Sequence, residues 1–370
     1  MFSVKKISII TVGTIAIGLG SVKPVSAASL YAITGLSFLP SDINDSVQVV
    51  GQNYLWQNGN VIDLTTLPGA NNSPIFATSI NNNGAIVGGG LTVNESTTEQ
   101  ETIPSQAFIS DGKIISDLPR NYFCTTFCPP ITAEDINDSG TVALIYDFRV
   151  GLVQQSDGTT TETLFARGIF NTAINNQNQV VGTGAFSGSG LQGIFAENGN
   201  QTTLIANASS GVPGVPQSAA NDINDSSNIV GRSSTIGSTN TVFETATLWT
   251  DVTQPGVSLG TLGGGSSDAL GINNSQQIVG TSTLTDDSTQ HAFLWEDGNL
   301  IDLNSLVDPG IGWELTSAFE INNNGDIIGI GNFNGEQRGF IAKAVPEPTS
   351  VLGVLGLGLF GLSNWRKRKK

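Results

Sequence analysis

Ile272-Asn273-Asn274-Ser275-Gln276-Gln277-Ile278-Val279-Gly280 is one copy of the phrase that decides the fold of this 370-residue chain. The phrase is Ile-Asn followed by Asp or Asn, then three residues, two apolar residues and Gly. It begins seven times, at Ile43, Ile80, Ile136, Ile174, Ile223, Ile272 and Ile321. The third copy departs from it, with Val142-Ala143-Leu144 where Gly is expected. A phrase that recurs along a chain predicts a repeat architecture.

Each copy predicts four antiparallel strands. The Asn-rich centre tolerates positive φ and reads as a hairpin turn, and the apolar pair after it suits a strand covered on both faces. A third apolar segment follows, such as Ala292-Phe293-Leu294-Trp295. An Asx-Gly turn such as Asp297-Gly298 then leads to a fourth segment, Leu300-Ile301-Asp302-Leu303.

Four strands in about 45 residues, repeated seven times, favour an all-β, seven-bladed β-propeller over residues 28–344. The seventh copy lacks a fourth strand, and residues 30–36 read as an orphan strand that supplies it. We therefore expect the ring to be closed by the N- and C-terminal strands, with residues 30–34 paired to 339–342. A β-solenoid is the alternative architecture.

The N-terminal end has the pattern of a secretory signal peptide. Residues 1–27 contain the positive start Lys5-Lys6, an apolar run over 7–20 and a small-residue site that predicts a signal helix cleaved between Ala27 and Ala28. A retained membrane anchor is the alternative.

The C-terminal end, residues 345–370, has three parts. Val345-Pro346-Glu347-Pro348 leads into the uncharged segment 349–365, which predicts a transmembrane helix, and then into a basic tail, 366–370. The tail would stay in the cytoplasm, leaving the repeats outside. An ordinary membrane helix with a Pro-rich stem is the alternative.

This three-part ending resembles the PEP-CTERM sorting signal of Gram-negative bacteria and cyanobacteria. The resemblance implies recognition by an exosortase, a membrane protease-like sorting enzyme. It therefore makes the exosortase machinery and the membrane the expected partners. The chain would be exported and first anchored in the cytoplasmic membrane by its C-terminal helix, then held at the cell surface or released.

The repeats resemble the extracellular HAF-repeat family, named for a His-Ala-Phe step that His291-Ala292-Phe293 carries here. The other copies match by pattern, since other residues replace the His: Gln106, Val150, Gln192 or Arg338. Membership implies an exported repeat protein and brings no established reaction or ligand.

Charge and residue counts exclude some functions. A net charge of −16 argues against nucleic acid as a partner, because phosphate-backbone binding needs clustered Lys and Arg. The single His, His291, excludes a His-pair metal site, and we identify no catalytic residue and no cofactor-binding residue. We expect His291 to be a repeat position beside a strand.

Two features indicate local sites. Asp135, Asn137 and Ser139 place oxygen ligands at alternate positions, like the opening of a calcium loop, so calcium is a candidate cofactor against the simpler interpretation of a hairpin turn. Cys124 and Cys128 are close in sequence in an exported chain, which predicts a local disulfide. Free thiols or a shared metal are the alternatives.

The sequence thus predicts a non-catalytic binding or structural component of the cell surface or extracellular matrix, with polysaccharide as a candidate ligand. Variable connections on one face of the ring are the expected place for ligand contacts. A carboxylate-dependent polysaccharide hydrolase or lyase on the same scaffold is the alternative function.

Overall fold

The computed structural model describes residues 30–70, 73–93, 102–118, 131–146, 149–154, 160–161, 169–186, 190–198, 200–205, 218–236 and 242–345. The strands in chain order are β1 (Leu30–Leu36), β2 (Asp42–Ile43), β3 (Val49–Gly51), β4 (Tyr54–Gln57), β5 (Asn60–Asp63), β6 (Ile75–Ile80), β7 (Ile86–Val93), β8 (Thr102–Ser110), β9 (Ile115–Asp117), β10 (Ile131–Ile136), β11 (Thr141–Tyr146), β12 (Arg149–Gln154), β13 (Thr160–Thr161), β14 (Ile169–Ile174), β15 (Val180–Phe186), β16 (Gly190–Glu197), β17 (Asn200–Thr203), β18 (Ser218–Ile223), β19 (Ile229–Ile236), β20 (Val242–Trp249), β21 (Val257–Gly260), β22 (Ser267–Ile272), β23 (Ile278–Thr283), β24 (Gln290–Glu296), β25 (Asn299–Asp302), β26 (Trp313–Ile321), β27 (Ile327–Phe333) and β28 (Glu336–Val345).

These strands make seven four-stranded antiparallel sheets. Sheets 1 to 6 consist of consecutive strands: β2–β5, β6–β9, β10–β13, β14–β17, β18–β21 and β22–β25. Sheet 7 has the order β1-β28-β27-β26, so its outermost strand comes from the other end of the chain.

The pairing of β1 with β28 closes the ring. Leu30 lies opposite Val345, and Leu36 lies opposite Gly339. The predicted partnership of these two strands is confirmed, in a register that places residues 30–34 opposite 341–345. Tyr31 is buried against sheets 6 and 7, as expected. A closed ring excludes the β-solenoid, whose terminal coils do not meet.

The predicted fold included a signal helix and a transmembrane helix, and the described residues support neither. The described ranges contain strands and three short 3-10 turns, over 64–66, 303–306 and 309–311. No helix in this part of the chain is long and apolar enough to cross a membrane. The two segments assigned to those helices, 1–27 and 349–365, lie outside the described residues. The fold of the described residues is therefore corrected to an all-β propeller alone.

A β-bulge near the end of most inner strands explains the Gly of the repeat phrase. In sheet 2 the register shifts between Ala77 and Ser79, and Gly88 lies opposite Ala77. A Cβ on Gly88 would overlap the main-chain oxygen of Phe76, so the bulge admits only Gly here without a backbone shift. In sheet 3 this position is Leu144, which pairs with Ala133 and is buried.

The core lies between neighbouring sheets. Val49 packs in the cluster between sheets 7 and 1, whereas the next residue, Val50, packs between sheets 1 and 2. Ile278 and Val279 divide in the same way between two clusters. Successive side chains of a strand point to opposite faces, so the consecutive apolar pair of each repeat serves two interfaces, as predicted.

The two ends of the ring differ in their connections. The first-to-second and third-to-fourth strand turns, of two to seven residues, lie on one end, which we call the turn face. The second-to-third and sheet-to-sheet connections lie on the other end, the loop face. They range from Gln52-Asn53 to the whole stretch between Thr203 and Ser218.

Candidate functional site

The inner turns of the seven sheets are joined by a closed ring of side-chain amides, the amide ring. In each turn the Asn side chain is buried, and its Nδ2 donates to the main-chain oxygen of the equivalent Asn in the next sheet, at 2.9 to 3.1 Å. The members in order are Asn44, Asn81, Asn137, Asn175, Asn224, Asn273 and Asn322, and Asn322 donates back to Asn44.

The same Asn side chains also hold their own turns. The Oδ1 of Asn224 accepts from the main-chain N of Ser226 and of Asn228, each at 3.0 Å. Each position therefore needs one acceptor and one donor on a short side chain. Asn supplies both and Asp does not, which explains why all seven copies of the phrase carry Asn at the second position.

The third position of the phrase forms a second closed ring. Its Oδ1 accepts from the main-chain N of the preceding turn at 2.8 to 2.9 Å. The members are Asp45, Asn82, Asp138, Asn176, Asp225, Asn274 and Asn323. Because this main-chain contact needs only an acceptor oxygen, Asp and Asn are both suitable.

We expect Asn224→Asp to destabilise the protein by about 3 kcal/mol, because the buried main-chain oxygen of Asn273 loses its donor and faces a carboxylate instead. Asp45→Asn is the matched control, since it retains an acceptor for Asn323 and should change the free energy of unfolding by less than about 1 kcal/mol. Urea unfolding of both variants measures the difference. Equal losses would contradict the role given to the amide ring.

Four carboxyl groups line the central channel just inside the amide ring. They belong to Asp42, Asp135, Asp222 and Glu320, each of which precedes the Ile of its repeat. For Asp135, Asp222 and Glu320 the bulge lies one residue earlier in the strand. A bulge changes the direction of the following side chain, here into the channel.

Three of these carboxyls connect neighbouring sheets. Asp42 Oδ1 accepts from Ile43 N at 2.6 Å, and its Oδ2 accepts from Ile80 N in the next sheet at 2.7 Å. Asp135 and Asp222 repeat the arrangement, accepting from Ile174 N and Ile272 N across the sheet boundary at 2.8 Å. These carboxyls therefore take part in holding the ring together.

Ser79 lies between two of the carboxyls, and its contacts favour the protonated form of one of them. Its Oγ is 2.8 Å from Asp42 Oδ2 and 2.6 Å from Asp135 Oδ1. A hydroxyl has one hydrogen, so both contacts are hydrogen bonds only when one of the two carboxyls is protonated. The geometry thus favours a neutral carboxylic acid at this point.

Burial raises the pKa of every carboxyl in this cluster. Burial and then the charge of Asp135 raise the pKa of Asp42 to about 6. The same two causes raise the pKa of Glu134, the bulge residue next to Asp135, to about 7. Burial raises the pKa of Asp222 to about 7. The pKa values of Asp135 and Glu320 are also raised, mainly by burial. These side chains are partly exposed to the channel and are otherwise surrounded by protein atoms.

The order of residues around the channel reflects the odd number of sheets. Acidic residues alternate with small ones, in the sequence Asp42, Ser79, Asp135, Ala173, Asp222, Gly271 and Glu320. Seven positions cannot alternate completely, so Glu320 and Asp42 are neighbours. The longer Glu320 side chain lies over Gly271, where a Cβ would be 2.7 Å from its Oε2. The missing side chain at Gly271 therefore makes room for it.

The residues of the predicted calcium loop have separate roles. Asp135 lies in the channel, Asn137 belongs to the amide ring, and the Ser139 hydroxyl donates to Asn137 Oδ1 at 2.7 Å. In the described ranges, no three His, Cys, Asp or Glu residues form a group that could hold a metal ion. Calcium binding stays a prediction.

His291 supports a neighbouring turn. Its Nδ1 is 2.7 Å from Asp302 Oδ2, and Asp302 Oδ1 accepts from Asn304 N at the start of a 3-10 turn. In sheet 1, Asn53 Nδ2 donates to Asp63 in the same way. Asn53 corresponds to Ala292 rather than to His291, because Tyr54 pairs with Asp63 as Phe293 pairs with Asp302, so the interpretation of His291 as a repeat position stays a prediction.

The remaining predicted sites lie at or beyond the ends of the described ranges. Val345 is the last residue of β28. Several predicted residues lie outside the described residues: Ala27, Ala28, Cys124, Cys128, Pro346, Glu347 and Pro348.

A second cavity, the closure groove, lies on the loop face where sheet 7 meets sheet 1. Its volume is about 550 Å³, and its lining includes Gln52, Gln337, Arg338 and the partly exposed Leu39. The Arg338 guanidinium is 2.8 Å from Glu336 Oε2 and lies over the Phe333 ring. Cavities of ~300 to 1,000 Å³ are typical of small-ligand sites.

Sequence patterns alone did not predict the amide ring, the grouping of the channel carboxyls or the closure groove. The constant Asn at the second position of the phrase was a signal for the first. The residues before each Ile were a signal for the second. Arg338 was noticed only as a substitute for His.

Comparison with known proteins identifies the C-terminal segment. Residues 344–369 match the PEP-CTERM protein-sorting motif. This motif is the exosortase recognition signal and implies an exported protein with a membrane-anchored C-terminal sorting signal. No curated protein matches the chain. The resemblance of the repeats to the HAF-repeat family is not shown by these comparisons.

Several solved structures have a low similarity to this chain. The β-propeller domain of the Trilobed protease from Pyrococcus furiosus has a TM-score of 0.48 at 9% identity, over 73% of this chain and 83% of that chain. Pyrococcus horikoshii acylaminoacyl peptidase has a TM-score of 0.48 at 11% identity, over 73% of this chain and 46% of that chain. A gluconolactonase from Xanthomonas campestris has a TM-score of 0.41 at 9% identity, over 86% of this chain and 91% of that chain. At these values no activity carries over to this chain.

Proposed function

We propose that this exported protein is a non-catalytic binding propeller that recognises extracellular polysaccharide on its loop face. The observation that carries the proposal is the contrast between the two faces. The connections of more than seven residues all lie on the loop face, together with the closure groove, whereas the turn-face connections span two to seven residues. Long and variable connections concentrated on one face of a repeat ring are typical of ligand-binding surfaces.

The chemistry of the closure groove supports a neutral polysaccharide. Gln52 and Gln337 offer side-chain amides, and Arg338 offers a guanidinium that is half exposed. Amides and guanidinium groups donate to hydroxyl oxygens. The net charge of −16 disfavours a long polyanion, and Arg338 is already paired with Glu336.

A glycan array and a polysaccharide turnover screen on purified residues 28–345 test this function. We expect binding to a neutral polysaccharide and no turnover. Arg338→Ala should weaken binding, whereas Lys343→Ala should not, since Lys343 is exposed near the opposite end of β28. Turnover that is lost on replacing loop-face acids would contradict the proposal in favour of a hydrolase or lyase. Equal binding by Arg338→Ala and Lys343→Ala would contradict the role of the closure groove in ligand binding.

A further inference from the structure

Both ends of the closed ring leave from the turn face. β28 begins at the loop face with Glu336 and ends at the turn face with Val345. β1 is antiparallel to it, so Leu30 also lies at the turn face, directly opposite Val345. The chain therefore enters and leaves the propeller at adjacent positions on the same face.

No linker separates the ring from the sorting signal. The matched motif begins at residue 344, which is still inside β28, and Ala344 packs against the core of sheets 6 and 7. The three residues of Pro346-Glu347-Pro348 can extend at most about 10 Å. A membrane that holds the sorting signal is thus close to the turn face near sheet 7.

Electrostatic attraction does not hold the turn face of the propeller against this membrane. The turn face carries the carboxylates of Asp45, Asp138 and Asp225 around the channel mouth. Carboxylates are not attracted to anionic lipid, which binds basic segments. The short tether alone must therefore set the orientation, and lengthening it should release the domain.

We propose that, while its sorting signal holds it, the propeller presents its turn face to the membrane surface and its loop face away from it. The amide ring and the channel mouth then face the lipid. The closure groove faces outward, where an extracellular ligand can reach it. This orientation rests on the membrane-held stage of the function proposed above.

Cysteine labelling of the full chain tests this orientation in a bacterial host that lacks the exosortase, so that the membrane-held form accumulates. Both natural cysteines are replaced by Ser. Single cysteines are then placed on the turn face by Asn60→Cys or Asn299→Cys, and on the loop face by Ser288→Cys or Glu336→Cys. All four positions are exposed and flank or belong to sheet 7. A bulky maleimide-polyethylene glycol is added to spheroplasts.

We expect the turn-face cysteines to react several-fold more slowly than the loop-face cysteines in the membrane-held protein, and at equal rates after detergent extraction. A flexible Gly/Ser spacer of about 20 residues after Val345, whose ends lie on average about 25 Å apart, should bring the turn-face rates up to the loop-face rates.

Fractionation of the cells distinguishes a failure of the membrane-held stage from a failure of the proposed orientation. A full chain found only outside the membrane fraction would overturn both the membrane-held stage and the orientation. A membrane-held chain whose two faces react at equal rates would overturn the orientation alone. Protection of the turn face that survives the spacer would overturn the tether as its cause.

Discussion

Deletion of residues 28–36 is expected to prevent stable folding of the propeller. The deletion removes β1, so the main-chain groups of β28 that face β1 lose their partners. It also exposes the surface that Tyr31 and Leu36 cover. The cost should be several kcal/mol, which is comparable with a typical stability of about 5 to 15 kcal/mol. The truncated protein should therefore aggregate or melt at a much lower temperature.

Calorimetry of residues 28–345 and 37–345 measures this effect. Removal of residues 346–370 from the full chain is the control for truncation itself, because those residues follow the last strand of the ring, and this removal should leave the melting temperature unchanged. Equal melting temperatures for 28–345 and 37–345 would contradict closure by β1. A repeat array that is not closed would lose only a terminal cap.

The second large effect is a loss of stability as the pH rises from about 4 to 7. The carboxyls of Asp42, Glu134 and Asp222 have folded-state pKa values of about 6 to 7, above their unfolded values near 4. The folded protein binds more protons than the unfolded chain in this window. Stability is therefore greatest below pH 4 as far as these groups are concerned, and decreases as pH rises through 6 to 7.

The magnitude should reach several kcal/mol, since one pKa unit corresponds to about 1.4 kcal/mol and several carboxyls contribute. Surface carboxyls act in the opposite direction, because hydrogen bonds lower the pKa values of Asp63 and Asp111, and their contribution is lost below pH 4. Urea unfolding at intervals from pH 4 to 8 measures the profile.

Glu320→Gln separates the channel from the general surface charge. The substitution keeps the shape and removes a buried carboxyl whose pKa lies well above its ordinary value. It should stabilise the protein at pH 8, leave it unchanged at pH 4 and flatten the profile. Glu336→Gln, at an exposed position, is the matched control and should neither stabilise the protein at pH 8 nor flatten the profile. Identical profiles for the two variants would contradict the role of the channel carboxyls.

Local patterns predicted the strands because a strand depends on residues near one another in sequence. The closure joins the two ends of the chain and was predicted by counting strands, since the seventh copy lacks a fourth strand and an orphan strand precedes the first copy. The apolar pair Val49-Val50 and the orphan strand at Leu30 are examples. The channel depends on more than local pattern. Asp42 and Asp135 are far apart in sequence, and only the ring brings both to Ser79.

The polar turns show the same limit. A phrase with Asn and Asp at its centre predicts a hairpin turn, and the turns are present. The bond from Asn322 to Asn44 joins the two ends of the repeat array, so it exists only in the closed ring. The calcium interpretation of Asp135, Asn137 and Ser139 treated the turn in isolation. It therefore overlooked the neighbouring sheets, whose groups these side chains contact.

The central claim is that a closed propeller is exported and then separated from its sorting signal. The intact mass of protein released from the cell surface tests it most directly. We predict a chain that begins at Ala28, retains Val345 and lacks the basic tail 366–370, and we expect Pro346→Ala to accumulate a longer, membrane-held form. Released protein that still ends at Lys370 would contradict the account.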